Sequence, residues 1–152
     1  DKSENTPAKP ETYVADLKAL LAKFPSPTLN AVRDEIDETS KIDYRPLENL
    51  ILPKPWHRGR VVLIGDAVHA TTPHLASGAL MGMEDGYVLA EELAQKATRQ
   101  EALTAFTERR FERCRMVVEN SGRLAEIEVT GGDQDEHGQI MRESNMALAQ
   151  PI

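Results

Sequence analysis

Cysteine is nearly missing from this chain: Cys114 stands alone, so no disulfide framework can form, and a reducing, cytoplasmic setting is expected. Long apolar runs are missing too. None approaches the roughly 20 residues that a membrane-spanning helix needs, and no charged-then-apolar leader opens the sequence. Basic charge is in deficit, with 18 Lys and Arg against 25 Asp and Glu and a net charge of −7. Neutralising phosphates takes a basic surface, so nucleic acid is not an expected partner. Internal repeats and low-complexity tracts are lacking as well. The chain opens at Asp1 rather than at methionine, and its first ten residues are polar with prolines at Pro7 and Pro10. That stretch is expected to be a frayed linker or the cut edge of a longer polypeptide.

What is present suits a globular domain. With 152 residues, 40% of them hydrophobic and 28% charged, the chain is long enough to bury a core. Val14, Leu17, Leu20, Leu21 and Phe24 recur at helical spacing, which predicts an amphipathic helix from Thr12 to Phe24. Pro25-Ser26-Pro27 ends it, because proline donates no amide hydrogen and disfavours helix just before itself. A shorter helix is predicted from Leu29 to Ile36. Ile42, Tyr44 and Leu47 to Leu52 read as a strand ending at Pro53. Pro53 to Gly59 reads as a rigid connection, and a domain boundary is placed there. Arg60 to Ile64 is short, apolar and β-branched, the pattern of a strand buried on both faces of a parallel sheet. Helices are then expected from Gly78 to Ala97 and from Glu101 to Glu128, the second with room for a break near Ser121-Gly122. Gly131-Gly132-Asp133 reads as a turn and Ile140 to Ala149 as a terminal helix. The fold class is α/β: a partial parallel sheet plus helices.

The segment that carries chemistry runs from Gly59 to Leu93. Gly65-Asp66 sits where the predicted buried strand ends, and in open α/β sheets ligands bind at that end. Gly65 has no Cβ to block a close approach. Asp66 either offers an acceptor to a sugar-like hydroxyl or caps a helix or turn; local spacing leaves both open. Gly78, Gly82, Gly86, Ala90 and Ala94 fall four residues apart and form one stripe along a helix. A glycine inside a helix costs about 1 kcal/mol relative to alanine, so Gly82 and Gly86 are expected to pack tightly against a neighbouring sheet. Gly78 differs, because it opens the helix, where free amides and the positive dipole end attract an anion.

The string Gly59-Arg60-Val61-Val62-Leu63-Ile64-Gly65-Asp66-Ala67-Val68-His69-Ala70-Thr71-Thr72-Pro73, followed by Gly78 and Glu84-Asp85, resembles the second flavin-binding motif of the single-component FAD monooxygenases. These are the relatives of para-hydroxybenzoate and salicylate hydroxylases. More weakly, Leu47 to Trp56 is similar to the strand returning from their substrate domain. Ala102-Leu103, Phe106, Glu108-Arg109 and Arg113 resemble the helix after the motif. The resemblance implies the C-terminal portion of an FAD/NAD(P)-binding fold. It divides the chain into 1–58, the end of a substrate-binding domain; 59–98, an FAD-binding strand, turn and helix; and 99–152, C-terminal helices.

The resemblance also implies roles. Gly65 and Asp66 would meet the ribityl chain of FAD, and Pro73 would lie beside the isoalloxazine. The amides around Gly78, Ala79 and Leu80 would hold the pyrimidine end, which becomes anionic on reduction. The implied reaction takes electrons from NAD(P)H and oxygen to hydroxylate a small aromatic substrate. No catalytic residue is assigned. The family's Gly-Gln-Gly is replaced here by Ala76-Ser77-Gly78, and Leu80 stands where an Asn is frequent. Ala76 restricts the loop if that position needs positive φ. None of the nine glycines forms a G-x-G-x-x-G. The isolated chain is therefore not expected to hold the FAD pyrophosphate or to turn over substrate without a preceding FAD-binding region or a partner chain. Alternative functions are a non-catalytic or split-chain assembly module, and halogenation or epoxidation on the same fold. The C-terminal helices could also pair two subunits.

Other constellations are weaker. His69 and His74 lack a third metal ligand, and Pro73 separates them, so no metal is assigned and His69 is expected to bond within its loop. Ser77, His69 and Asp66 lack the glycines of a nucleophile elbow. Asp133 to Ile140 resembles a calcium loop, but His137 and Ser144 spoil the ligand set, and a solvated acidic loop is preferred. Arg109, Arg110, Arg113 and Arg115 alternate with Glu108 and Glu112 and read as a solvated face with local ion pairs. Cys114 reads as a small core residue and Trp56 as a packing anchor.

Overall fold

A computed structural model describes residues 9–152, so the polar opening lies almost wholly outside the described residues. The chain forms two compact units, one ending at Pro46 and the other running from Leu47 to Ile152. By contact, Leu47 to Arg58 therefore belongs with the second unit.

In the first unit a short 3-10 turn, Pro10–Thr12, leads into α1, Tyr13–Leu21; α2 follows at Pro27–Glu35. Ser26 starts α2 by accepting from the Leu29 amide, with Pro27 at the first helical position, where its missing N–H is harmless. No described residue of this unit is buried. Ile42 and Tyr44 form no strand; instead the Tyr44 ring lies 5.4 Å from that of Tyr13 on α1.

The second unit holds the core. Leu47 to Leu52 is extended but joins no sheet. The Leu50 and Leu52 amides donate to the carbonyls of Ala70 and Val68 at 2.8 and 2.9 Å. β1, His57–Arg58, pairs with β2, Val61–Val62, in an antiparallel ladder, and this is the sole sheet among the described residues. The buried parallel strand expected at Arg60–Ile64 is thus not formed here. Val61 is 64% exposed, and Leu63 and Ile64 about 40%, because no neighbouring strand among the described residues covers them.

After β2 come α3, Asp66–His69, a 3-10 turn at Pro73–Leu75, and three longer helices: α4, Gly78–Gln95; α5, Arg99–Thr130; and α6, Gln134–Leu148. α5 does not break at Ser121-Gly122. Ser121 is buried there, and the missing side chain of Gly122 leaves room for the Asn49 amide. Gly131 ends α5 with φ 66°, a left-handed conformation that suits glycine. α6 begins earlier than its apolar pattern suggests, because Asp133 caps it by accepting from the Asp135 and Glu136 amides. The acidic stretch is therefore the first turn of a helix and not a loop.

Trp56 is the packing anchor. It is buried against the rings of His69, Phe106 and Phe111, and its indole N–H donates to the Leu52 carbonyl. Val68, Met81, Val88, Cys114 and Leu124 complete the same core.

Candidate functional site

The turn between β2 and α3 sets the site. Gly65 has φ 59° and ψ −144°, a backbone conformation essentially restricted to glycine. Its Cα faces Gly82 of α4; a Cβ on Gly82 would sit 3.8 Å from it, so turn and helix meet backbone to backbone. Close packing thus accounts for Gly82. It does not account for Gly86, whose missing side chain faces open space among the described residues.

Asp66, the first residue of α3, is exposed, and its carboxylate bonds to no described residue. With Thr71, Pro73, Ala76, Gly78 and Ala79 it lines a cavity of about 480 Å³. The structure thus gathers Asp66, Pro73, Gly78 and Ala79 of the expected site around one hollow. Gly65 and Leu80 do not line it; each is the chain neighbour of a lining residue, Gly65 preceding Asp66 and Leu80 following Ala79 as the third residue of α4.

Two features shape the cavity's rim. Ala76 adopts φ 50°, the left-handed conformation that its replacement of a glycine puts in question. Second, no described side chain caps α4. The Ser77 hydroxyl donates to the Leu75 carbonyl at 2.7 Å, and the first helical bond is Met81 N–H to the Ser77 carbonyl. The amides of Gly78, Ala79 and Leu80 are left without an intrahelical acceptor at the positive end of an 18-residue helix.

Behind the turn lies a buried ionic cluster. Asp85 is fully buried, and its Oδ2 accepts from the Gly65 amide at 2.8 Å and from His69 Nε2 at 2.6 Å. Its Oδ1 accepts from Arg110 Nε at 2.8 Å. Arg110, also fully buried, donates further to Glu84 at 2.6 Å and to the Met81 carbonyl at 3.2 Å. Arg113 holds both oxygens of Glu84 at 2.9 Å and reaches the carbonyls of Ala147 and Leu148 at the end of α6.

This cluster corrects two expectations. His69 bonds across to α4 and not within its loop. Arg110 and Arg113 point into the protein and pair with residues far away in sequence. Arg109 likewise pairs with Glu91 and Glu92 of α4, and of the four only Arg115 makes the local pairs, with Glu112 and Glu119.

The charges hold one another in place. Burial works against the His69 imidazolium, but its bonds to Asp85 and Cys114 outweigh this and push its pKa up to about 10. Burial would raise Asp85, yet the bonds from His69, the Gly65 amide and Arg110 hold it below the usual carboxylate range. Glu84 is also lowered: its two arginines overcome the effect of burial.

Cys114 completes a trio with His69 and Asp85, their donor atoms all within 4.8 Å of one another. This neighbour could not be seen from sequence, where 45 positions separate it from His69. Asp85 already accepts from three donors, one of them a guanidinium, so its oxygens are committed to hydrogen bonds rather than left open for a cation.

Comparison with known proteins gives the family and the fold. The family described as FAD binding domain matches residues 8–121. A salicylate hydroxylase of Pseudomonas putida is 36% identical over 135 residues, covering 83% of this chain and 28% of that protein. A 6-hydroxynicotinate 3-monooxygenase of Pseudomonas fluorescens is 46% identical over 69 residues, covering 45% of this chain and 17% of its own. Among solved structures, a variant of HpxO from Klebsiella pneumoniae complexed with FAD superposes with a TM-score of 0.64. It is 23% identical, with 95% of this chain and 38% of that one covered, and so shows the shared fold. The chain spans well under half the length of each of these relatives.

Proposed function

The chain belongs to the FAD binding domain family of flavin-dependent monooxygenases, and from that premise we propose that its Gly65–Leu80 segment holds the flavin end of FAD in an aromatic hydroxylase. The observation that carries the reading is the uncapped start of α4, opening onto the cavity that Asp66 and Pro73 also line. A flavin fits this donor set. The Asp66 carboxylate accepts from ribityl hydroxyls. Pro73 gives the ring an apolar wall. The amides of Gly78, Ala79 and Leu80 meet the pyrimidine oxygens and favour negative charge there. Gly65 lets the ribityl chain pass close to the backbone.

When bound, FAD supplies the redox chemistry with oxygen, and NAD(P)H supplies the electrons. The protein's part is position and electrostatics, and the exposed apolar side chains of Val61, Leu63 and Ile64 bear on how the fold is completed. We assign that face to contact with the remainder of the fold, a further FAD-binding region in the same polypeptide or in a partner chain, against which β2 becomes an inner strand of a parallel sheet. The substrate is a small aromatic molecule, as the names of the matched hydroxylases suggest. No described helix is long and apolar enough to cross a membrane.

The test is Asp66→Ala in the full-length protein. FAD affinity should weaken at least about tenfold, the loss expected when a charged hydrogen bond is removed, with unchanged thermal stability of the apoprotein. Unchanged flavin content in the variant would sink the role given to Asp66. Formation of a hydroxylated ring with matched NAD(P)H and oxygen consumption is the expected activity; a halogenated or epoxidised product would reassign the reaction.

A further inference from the structure

The Gly65–Asp66 turn is held from behind by groups that never reach the cavity. Asp85 takes the Gly65 amide from one side, while the Gly65 carbonyl accepts from the amides of Val68 and His69 at 3.0 Å. The side chain of His69 returns to the same Asp85 oxygen that holds the Gly65 amide. Both polar groups of one glycine are thereby tied to a closed ring of bonds that also contains His69 and Asp85. Arg110 fixes the other oxygen of Asp85 and so sets the plane of the carboxylate. No described residue holds the Asp66 side chain itself, so its direction follows from the peptide that precedes it.

From this arrangement we infer that Asp85 and His69 are positioning residues for Asp66, aiming its carboxylate into the cavity through the Gly65 peptide. The inference rests on the flavin-binding reading of that cavity. Plain packing does not require this wiring. A buried carboxylate needs partners, but Arg110 and His69 could pair with it without engaging a backbone amide of the turn. Asp85 instead places its second oxygen on the residue whose glycine-restricted, positive-φ conformation sets where Asp66 points. Two charged groups within a sealed core also resist drift, because moving either leaves an unpaired charge in a low-dielectric setting.

The experiment is a double-mutant cycle on FAD affinity, in the full-length protein stripped of flavin and titrated with FAD by fluorescence. Asp85→Asn and His69→Gln are each measured with Asp66 present and with Asp66→Ala. Coupled residues give non-additive losses, so each variant should weaken binding about tenfold with Asp66 present and less than about twofold without it. A general loosening of the fold would weaken binding equally in both backgrounds, and that outcome overturns the inference. So does unchanged affinity with Asp66 present. If Asp85→Asn does not fold, as circular dichroism will reveal, His69→Gln decides alone, since it removes one of three bonds at Asp85. Wild-type protein that binds no FAD overturns the functional reading together with this inference; wild-type binding with additive losses overturns this inference only.

Discussion

Two neighbouring helices begin in opposite ways. α5 opens with a complete capping box: the Thr98 side chain accepts from the Glu101 amide, and the Glu101 carboxylate accepts from the Thr98 amide. α4 opens with none, and its serine is turned back onto the Leu75 carbonyl. What replaces the cap is a tie from outside, since Arg110 reaches the Met81 carbonyl in the first turn and both carboxylates one turn further on. The contrast teaches that a bare helix start need not be a weak one. α5 satisfies its own end with local side chains, which closes that end to ligands. α4 is held from a distance, so its amides stay open where the cavity lies.

The strongest way to break this contrast is Arg110→Met. Removing one member of a buried ion pair leaves the others uncompensated and costs about 3–5 kcal/mol. Urea unfolding of the apoprotein should show that loss, and FAD affinity should fall with it. An intermediate effect is expected from pH. The pKa of His69 in the folded protein lies above its ordinary value of 6.5, so its contribution is complete below that value and is lost as pH rises through about 10. The unfolding midpoint should therefore fall between pH 7 and pH 10, a dependence shallower in His69→Gln. Acid acts on the other partner: Asp85 is lowered, so its contribution is present above the ordinary carboxylate value and lost as pH falls below it. The smallest effect sharpens the comparison from the other side. Thr98→Ala removes the α5 cap at a cost of about 1 kcal/mol, and FAD affinity should not change. A matching loss of flavin would mean that the two helix starts are not independent.

Only the α4 side of this contrast was legible in the residues; α5 was expected from Glu101, and its Thr98 cap was not foreseen. The glycine that opens α4, the strand-turn-helix string around Gly65-Asp66 and the turn at Gly131 all follow from local rules. The ion pairs between α4 and α5 were not legible. Arg110 and Arg113 alternate in sequence with Glu108 and Glu112, and that alternation alone reads as a solvated surface. Their real partners, Glu84 and Asp85, lie 26 and 25 residues from Arg110, at a separation that only packing of α4 on α5 can close. Gly122 misled in the same way. It looked like a break, and its purpose is a neighbour, Asn49, from a distant segment. The apolar run at Val61 to Ile64 predicted a buried strand from composition, but burial depends on flanking strands that the described residues do not supply. The acidic composition around Asp133 suits a solvated loop, and its role as the cap of α6 depends on where the Asp135 and Glu136 amides point.

The grip of Arg113 on the carbonyls of Ala147 and Leu148 has a consequence in time. Translation delivers Gly65, Asp85 and Arg110 first, and these can already join behind the turn. Glu84 cannot have its second arginine seated against α6 until residue 148 has been made. The last contacts behind the cavity therefore wait for α6, and a chain cut short before Ala147 would keep the Gly65–Asp85 tie while leaving Arg113 with Glu84 as its remaining partner.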